Sequence, residues 1–344
     1  MSSARTMSPK RRFLSALFGG RPDRVPVGNV VSVATTELMA LADAWFPEAH
    51  QEATTMARLA AAGHEVLGYD TVMPVFSVVQ EAAALGCEVD WGGPTMMPTV
   101  RSHPWAATES PRLPQGWMEA PSIRVVLEAL ALLRQQLGDH VVIVGKVMGP
   151  WTLSYHMLGM EEFLVSTLQN PERARRSLEV LMQVTLEFAR AQMQAGADIV
   201  CIADHATGQT VSPWAYRDFL LPVHRSLTAD LGCPTVLHCC GNTTDRLAYF
   251  AEAGFDCYHF ESEVAVGDAV RAAAGRMSVM GNINNPRTLL TGGAEDVARA
   301  CHRAIEHGVD ILAPECALPL STPLSNARVL VEVAETTPRN RVPG

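Results

Sequence analysis

Eight short apolar runs rich in Val and Ile recur along this chain, and segments of helical period separate the later ones. The runs are RVPVGNVV (24–31), DTVMPV (70–75), VVIVGKVMG (141–149), ADIVCIAD (197–204), PTVLHCC (234–240), FDCYHFE (255–261), RMSVMGN (276–282) and VDILAPEC (309–316). A strand that is apolar along its whole length, rather than at alternate positions, has both faces covered, which is the condition of a parallel sheet under helices. The intervening segments PERARRSLEVLMQVTLEFARAQMQAG (171–196) and AEDVARACHRAIEHG (294–308) read as amphipathic helices. Eight strand–helix units in 344 residues predict a single (β/α)8 TIM barrel, one domain over residues 1–344. The alternative is an open doubly wound sheet. It loses ground because no G-x-G-x-x-G or P-loop sequence follows the first strand.

Two segments fall outside the repeat. SPKRRFLSALFGGRPDR (8–24) imitates a twin-arginine export signal, but its apolar part stops at Phe18, so it reads as a short surface helix that extends the barrel at its N-terminal side. Near residues 85–118 the chain carries an insertion. LGCEVDWGGPTMMPTV (85–100) alternates like a hairpin around Gly92 and Gly93, and HPWAATESPRLPQGW (103–117) reads as a long loop; the whole is either padding on the outside or a lid over the barrel mouth. The tail ETTPRNRVPG (335–344) is expected to fray.

A formal charge of −9 with scattered Lys and Arg argues against a nucleic-acid surface, and no stretch approaches 18 uninterrupted apolar residues, which argues against a membrane span. A chain of this size does not need covalent staples, so its eight cysteines are read as reduced and the protein as cytoplasmic. Cys87, Cys201, Cys233, Cys257 and Cys301 are taken as small buried hydrophobes.

In a barrel, the C-terminal strand ends converge on one face. Chemically useful residues follow the apolar runs there: Asp204, His238 with Cys239 and Cys240, Glu261, Asn282 and Cys316. Strand alternation sends His238 and Cys240 to one side and turns Cys239 away, giving an H-x-C pair with Cys316 as a third ligand from the last strand. One imidazole and two thiolates suit Zn2+ and leave a fourth tetrahedral position open, which Glu261 can fill at rest. Asp204 is a candidate catalytic carboxylate. Asn282 is read as more structural than catalytic, with contact to a cofactor as its candidate role, and His156, His205 and His259 as ordinary histidines.

At these residues the sequence resembles the uroporphyrinogen decarboxylase superfamily and, within it, the zinc-dependent methylcobamide:coenzyme M methyltransferases. The resemblance runs over nearly the whole chain, through VMGPWTLSYHMLGMEEFL, ATGQTVSPWAYRDFLLPVHR, LHCCGNTTDRL, MGNINNPRTLL and VDILAPECALPLSTPLSNARVLVE. It implies a TIM barrel, a zinc site of His238, Cys240 and Cys316, and Glu261 completing the shell until substrate arrives. The decarboxylase branch shares MGNINNPRTLL, but its early arginine-bearing segment is replaced here by VGNVVSVAT, so the clamp for a polycarboxylate tetrapyrrole is missing. A third reading is a non-catalytic barrel that binds a corrinoid protein.

The implied reaction takes a small thiol, such as coenzyme M, into the open position as its thiolate. Its sulfur attacks the methyl group of a methyl-Co(III) corrinoid and leaves a thioether and Co(I). No D-x-H-x-x-G corrinoid motif is present, DHATG at 204–208 having the wrong spacing, so the methylcobamide has to arrive on a partner protein or free. A corrinoid protein docking near residues 85–118 is the expectation.

Overall fold

The computed structural model describes residues 6–108 and 111–337. Its strands are β1 Thr71–Val72, a hairpin of β2 Val89–Asp90 and β3 Thr99–Val100, then β4 Val142–Met148, β5 Ile199–Ala203, β6 Thr235–Cys239, β7 Cys257–Phe260, β8 Ser278–Ile283 and β9 Ile311–Pro314. Apart from the hairpin they form one sheet in chain order, every neighbouring pair parallel. The seven strands correspond to seven of the eight apolar runs, and all but one position in β4 to β9 is buried.

The first run closes the circle with very little ladder. Val27 bridges Leu312 of β9 in parallel, with Gly28 N–H donating to Leu312 O at 3.1 Å and Leu312 N–H donating to Pro26 O at 2.9 Å. On its other side Asp70 N–H donates to Val27 O, and Thr71 Oγ1 both accepts from Asn29 N–H and donates to Asn29 O. Pro26 has no N–H, and the Thr71 hydroxyl takes backbone bonds that a strand partner would otherwise make, so this run joins both sheet edges without becoming a regular strand. The result is the (β/α)8 TIM barrel.

The N-terminal helix Pro9–Leu17 starts at Ser8, whose side chain accepts from Arg11 N–H. It lies at the surface, as expected, and its inner face covers the N-terminal end of the barrel. Arg12, only 5 % exposed, pairs with Asp23 and Asp70 at 2.7 Å each, and Lys10 reaches Asp198 just before β5. Asp70 also accepts Val27 N–H, so one buried carboxylate joins the helix to the closing segment. Phe13, Ala16 and Leu17 supply the apolar face.

The helix Pro171–Ala195 forms where the periodicity predicts it. Asn170 caps its first turn by accepting Arg173 N–H, Pro171 sits where its missing N–H costs nothing, and Gly196 ends it. The insertion does form a hairpin, with Val89 opposite Val100 and Asp90 opposite Thr99. The loop beyond it is tied down: Trp105 N–H donates to Met157 O, and Arg173 donates to the carbonyls of Trp105 and Ala106. The last helix runs Leu324–Thr336, and the part of the tail beyond residue 337 that is expected to fray lies outside the described residues. No helix is long and apolar enough to cross a membrane among the described residues.

Candidate metal centre

His238 lies in β6, Cys240 directly after it, and Cys316 two residues after β9. Alternation points His238 and Cys240 the same way. Cys240 Sγ lies 3.1 Å from His238 Nε2, Cys316 Sγ lies 3.5 Å from the same nitrogen, and the two sulfurs are 3.6 Å apart. Among the described residues these three form the group of His, Cys, Asp and Glu ligand atoms within 4.8 Å of one another. Cys239 is buried separately, its thiol pushed up to about 12 by burial, and all eight cysteines are free thiols. Of the five cysteines taken as buried, Cys233 is only half-buried.

The two sulfurs share a proton unequally. The Cys316 pKa is held well below the ordinary thiol value by a hydrogen bond from Cys240 and by the nearby His238. That hydrogen bond raises the Cys240 pKa, and burial raises it further. The pair therefore favours the thiolate on Cys316 over that on Cys240, and a bound cation would stabilise both. The His238 ring lies 4.6 Å from the His259 ring, tilted by 32°. His259 Nε2 donates to Pro314 O at 2.8 Å, and burial next to His238 lowers its pKa to about 3, so it stays neutral.

Residues next to the ligands hold them in place. Glu315, 5 % exposed, accepts Ser262 N–H at 2.9 Å, Asn285 N–H at 2.7 Å and the Asn284 amide at 3.1 Å. It thus ties the Cys316 loop to the chain after β7 and after β8. Asn29 donates to Cys316 O at 3.2 Å, anchoring the same loop to the closing segment. Gly241, at φ +72°, lets the chain turn right after Cys240, and a Cβ there would lie 2.2 Å from Thr207 Oγ1. Gly241 N–H and Cys240 lie near the Glu261 carboxylate and offset part of the effect of its burial. Burial raises the Glu261 pKa, and the carboxylate lies beside the ligand triangle without being part of it.

Asp204 borders the cavity beside the ligand triangle with its oxygens engaged by protein donors, while Asn282 lies away from that cavity. The Asp204 side chain is fully buried and its oxygens accept from Thr152 N–H at 2.7 Å, Thr152 Oγ1 at 3.1 Å and His224 Nε2 at 3.0 Å. It holds the first turn of the helix Pro150–Leu158, and a Cβ on Gly149 would lie 2.1 Å from its carboxyl carbon. Asn282 donates to Val264 O and lines a separate depression with Ser262, Arg303 and His307.

A cavity of about 200 Å³ opens above the ligand triangle. His238, Cys240 and Cys316 line it together with Phe76, from the loop after β1, and Met97 and Pro98 of the insertion. His205, read as ordinary, also lines this wall, whereas His156 does not. Lys146 was not singled out from the sequence. It occupies β4, is 2 % exposed, lines the cavity and has its pKa lowered by burial. The signal was there in VVIVGKVMG, a charged residue in the middle of an apolar strand.

Barrel and site together define an α/β-barrel protein with an imidazole–dithiol centre at its C-terminal mouth. The chain belongs to the uroporphyrinogen decarboxylase (URO-D) family, whose model matches residues 8–337. It is 34 % identical over 333 residues to a methylated-thiol–coenzyme M methyltransferase of Methanosarcina mazei, covering 96 % of this chain and 90 % of the relative. It is 32 % identical to the methylcobamide:CoM methyltransferase MtaA of Methanosarcina barkeri, covering 94 % and 96 %. A solved methyltransferase from Methanosarcina mazei superposes with a TM-score of 0.93 at 31 % identity, covering 96 % of this chain and 98 % of that one.

Proposed function

We propose that this protein is a zinc-dependent methyltransferase that moves a methyl group from a methyl-Co(III) corrinoid, carried by another protein, to a small thiol. The observation that carries the reading is the ligand triangle of His238, Cys240 and Cys316 opening onto a small cavity. Tetrahedral zinc, with Zn–S about 2.3 Å and Zn–N about 2.0 Å, sets sulfurs about 3.8 Å apart and sulfur and nitrogen about 3.5 Å apart. The Cys240–Cys316 and Cys316–His238 separations of 3.6 and 3.5 Å fit, and Cys240 has to move a few tenths of an ångström from His238. Two thiolates and a neutral imidazole also suit zinc chemically.

When bound, the ion supplies one thing, stabilisation of an incoming thiol as its nucleophilic thiolate. The protein supplies the rest. Cys316 and Cys240 would give the centre two negative charges, which would keep the acceptor sulfur electron-rich, and Glu261, beside the ligand triangle, would give way to the incoming thiol. Phe76, Met97 and Pro98 exclude water from the attacking sulfur. Asp204 contributes by fixing Thr152, part of the cavity wall. The methyl carbon forms a bond to sulfur while the Co–C electron pair stays on cobalt. The corrinoid protein docks over the mouth, where Val78, Met96 and Met97 are exposed. The relatives' names make coenzyme M the first acceptor to try, and free thiols at all eight cysteines accord with a cytoplasmic setting.

The cavity counts against a tetrapyrrole substrate. Its lining includes no arginine that could clamp a polycarboxylate. Purified protein should contain about one zinc per chain, lose it on Cys316→Ala, and convert methylcobalamin with a thiol to cob(I)alamin, followed by absorbance. A metal-free protein with full activity would refute the proposal.

A further inference from the structure

A thiol that enters the cavity protonated has to lose its proton there before its sulfur becomes a nucleophile. Besides the three ligands, the titratable groups in the cavity wall are Lys146, Asp204 and His205. Asp204 is fully buried, and its oxygens are engaged by Thr152 and His224. Lys146 is 2 % exposed and its ammonium makes no hydrogen bond or ion pair among the described residues, so a proton taken up there has no way on to solvent. His205 differs from both. The residue lines the cavity and is exposed, so its imidazole borders the compartment of the sulfur and bulk water at once. Neither ring nitrogen makes a hydrogen bond among the described residues, and the ring is not part of the ligand triangle.

What holds His205 in place is its backbone. Its N–H donates to Thr152 Oγ1 at 2.7 Å, that hydroxyl is also bound to Asp204, and the ring stands edge-on to Tyr155 with centroids 6.5 Å apart. The ring nitrogens are thus left free for a ligand. Partial burial and then His238 lower the His205 pKa, against the opposite pull of Asp204 and Cys316, which keeps the ring neutral and able to accept. The Tyr155 phenol, its pKa raised by burial, stays neutral beside it.

We infer that His205 is a catalytic base, which takes the proton of the incoming thiol and hands it to solvent. The inference rests on the thiol-methylation reading of the same site and adds the step that makes the nucleophile. The S–H bond breaks, its electron pair stays on the sulfur that joins His238, Cys240 and Cys316, and the proton forms an N–H bond on the His205 ring. The imidazolium then releases that proton to bulk water, which restores the base.

The test uses the Co2+-substituted protein, in which a bound thiolate gives a sulfur-to-cobalt charge-transfer band, with 2-mercaptoethanol as the thiol. Stopped-flow mixing gives the rate at which the band appears, and titration gives the dissociation constant, both without turnover. In the wild type the rate should rise with pH through the lowered pKa of the ring and then level off. A rate that climbs about tenfold per pH unit without a plateau would show the thiol entering as free thiolate, and overturns the inference. His205→Gln keeps a polar side chain that accepts no proton near neutral pH. It should slow the band about 100-fold and abolish the plateau, with cobalt content and dissociation constant unchanged. The hindered base 2,6-lutidine, which does not bind the metal, should speed this variant in proportion to its concentration. An unchanged rate overturns the inference. So does a slow variant that lutidine does not accelerate, or one whose affinity weakens as much as its rate, since His205 would then position the thiol and not deprotonate it. Should the variant fail to fold, the wild-type pH profile decides alone. Failure of the wild type to give the band with any of a series of thiols overturns the methyl-transfer reading itself, which sets the two failures apart.

Discussion

Glu315→Gln tests whether the candidate centre depends on the residue beside Cys316. Each Glu315 oxygen accepts a backbone N–H, Oε1 from Asn285 at 2.7 Å and Oε2 from Ser262 at 2.9 Å. A glutamine has one acceptor. It should keep that oxygen on the fully buried Asn285 N–H and turn its NH2 toward Ser262, setting two donors face to face. Ser262 is exposed and its bond to Glu315 only partly buried, so losing it costs about 1 kcal/mol, the low end for an unsatisfied donor. For 344 residues the unfolding entropy near the midpoint is about 0.7 kcal/mol/K, so the melting temperature of metal-free protein should fall by about 1.5 °C. The larger effect should be local. Glu315 links the Cys316 loop to the segments after β7 and β8, and loss of such a support weakens metal binding by about 10- to 100-fold. Competition with a chromophoric chelator measures the affinity, and scanning calorimetry the stability. Zinc affinity unchanged in a destabilised variant would show that Cys316 is placed without Glu315, and the account of how the ligands converge would be wrong.

Three further outcomes follow from the same geometry. Gly241→Ala puts a side chain at φ +72° and 2.2 Å from Thr207 Oγ1, so it should cost about 1–2 kcal/mol or more and weaken metal retention, checked by urea unfolding and metal analysis; a neutral effect would mean the turn after Cys240 is not constrained. Asp204→Asn should destabilise by about 1–3 kcal/mol with zinc content kept, because the carboxylate serves Thr152 and His224; a fully stable variant without turnover would instead give Asp204 a chemical role. In metal-free protein at pH 7, iodoacetamide should label Cys316 first. A lowered pKa keeps that thiol ionised from below the ordinary thiol value upward, while burial pushes Cys87 and Cys233 up to about 11 and Cys201 and Cys301 up to about 12. Peptide mapping reads this out, Cys240→Ala should slow the labelling, and equal labelling of Cys240 would refute the proton sharing.

Sequence alone determined the barrel and the H-x-C pair, because both rest on local periodicity. Covered strands are apolar throughout, and alternate residues in a strand share a face, so His238 and Cys240 were bound to point together whatever surrounds them. The insertion hairpin was legible for the same reason. What brings Cys316 within 3.6 Å of Cys240 is barrel closure, in which a proline-containing run joins β9 to β1 through the Thr71 hydroxyl. Only the tertiary structure could turn Asp204, just past β5, toward a helix end, since such a residue has no fixed direction until its neighbours supply hydrogen bonds, and only it places Asn282, inside β8, at another depression. Lys146 and Glu315 belong with them. One looks in the sequence like an interruption of an apolar run and the other like a loop carboxylate, and their importance arises from what the folded chain leaves unpaired around the first and gathers around the second.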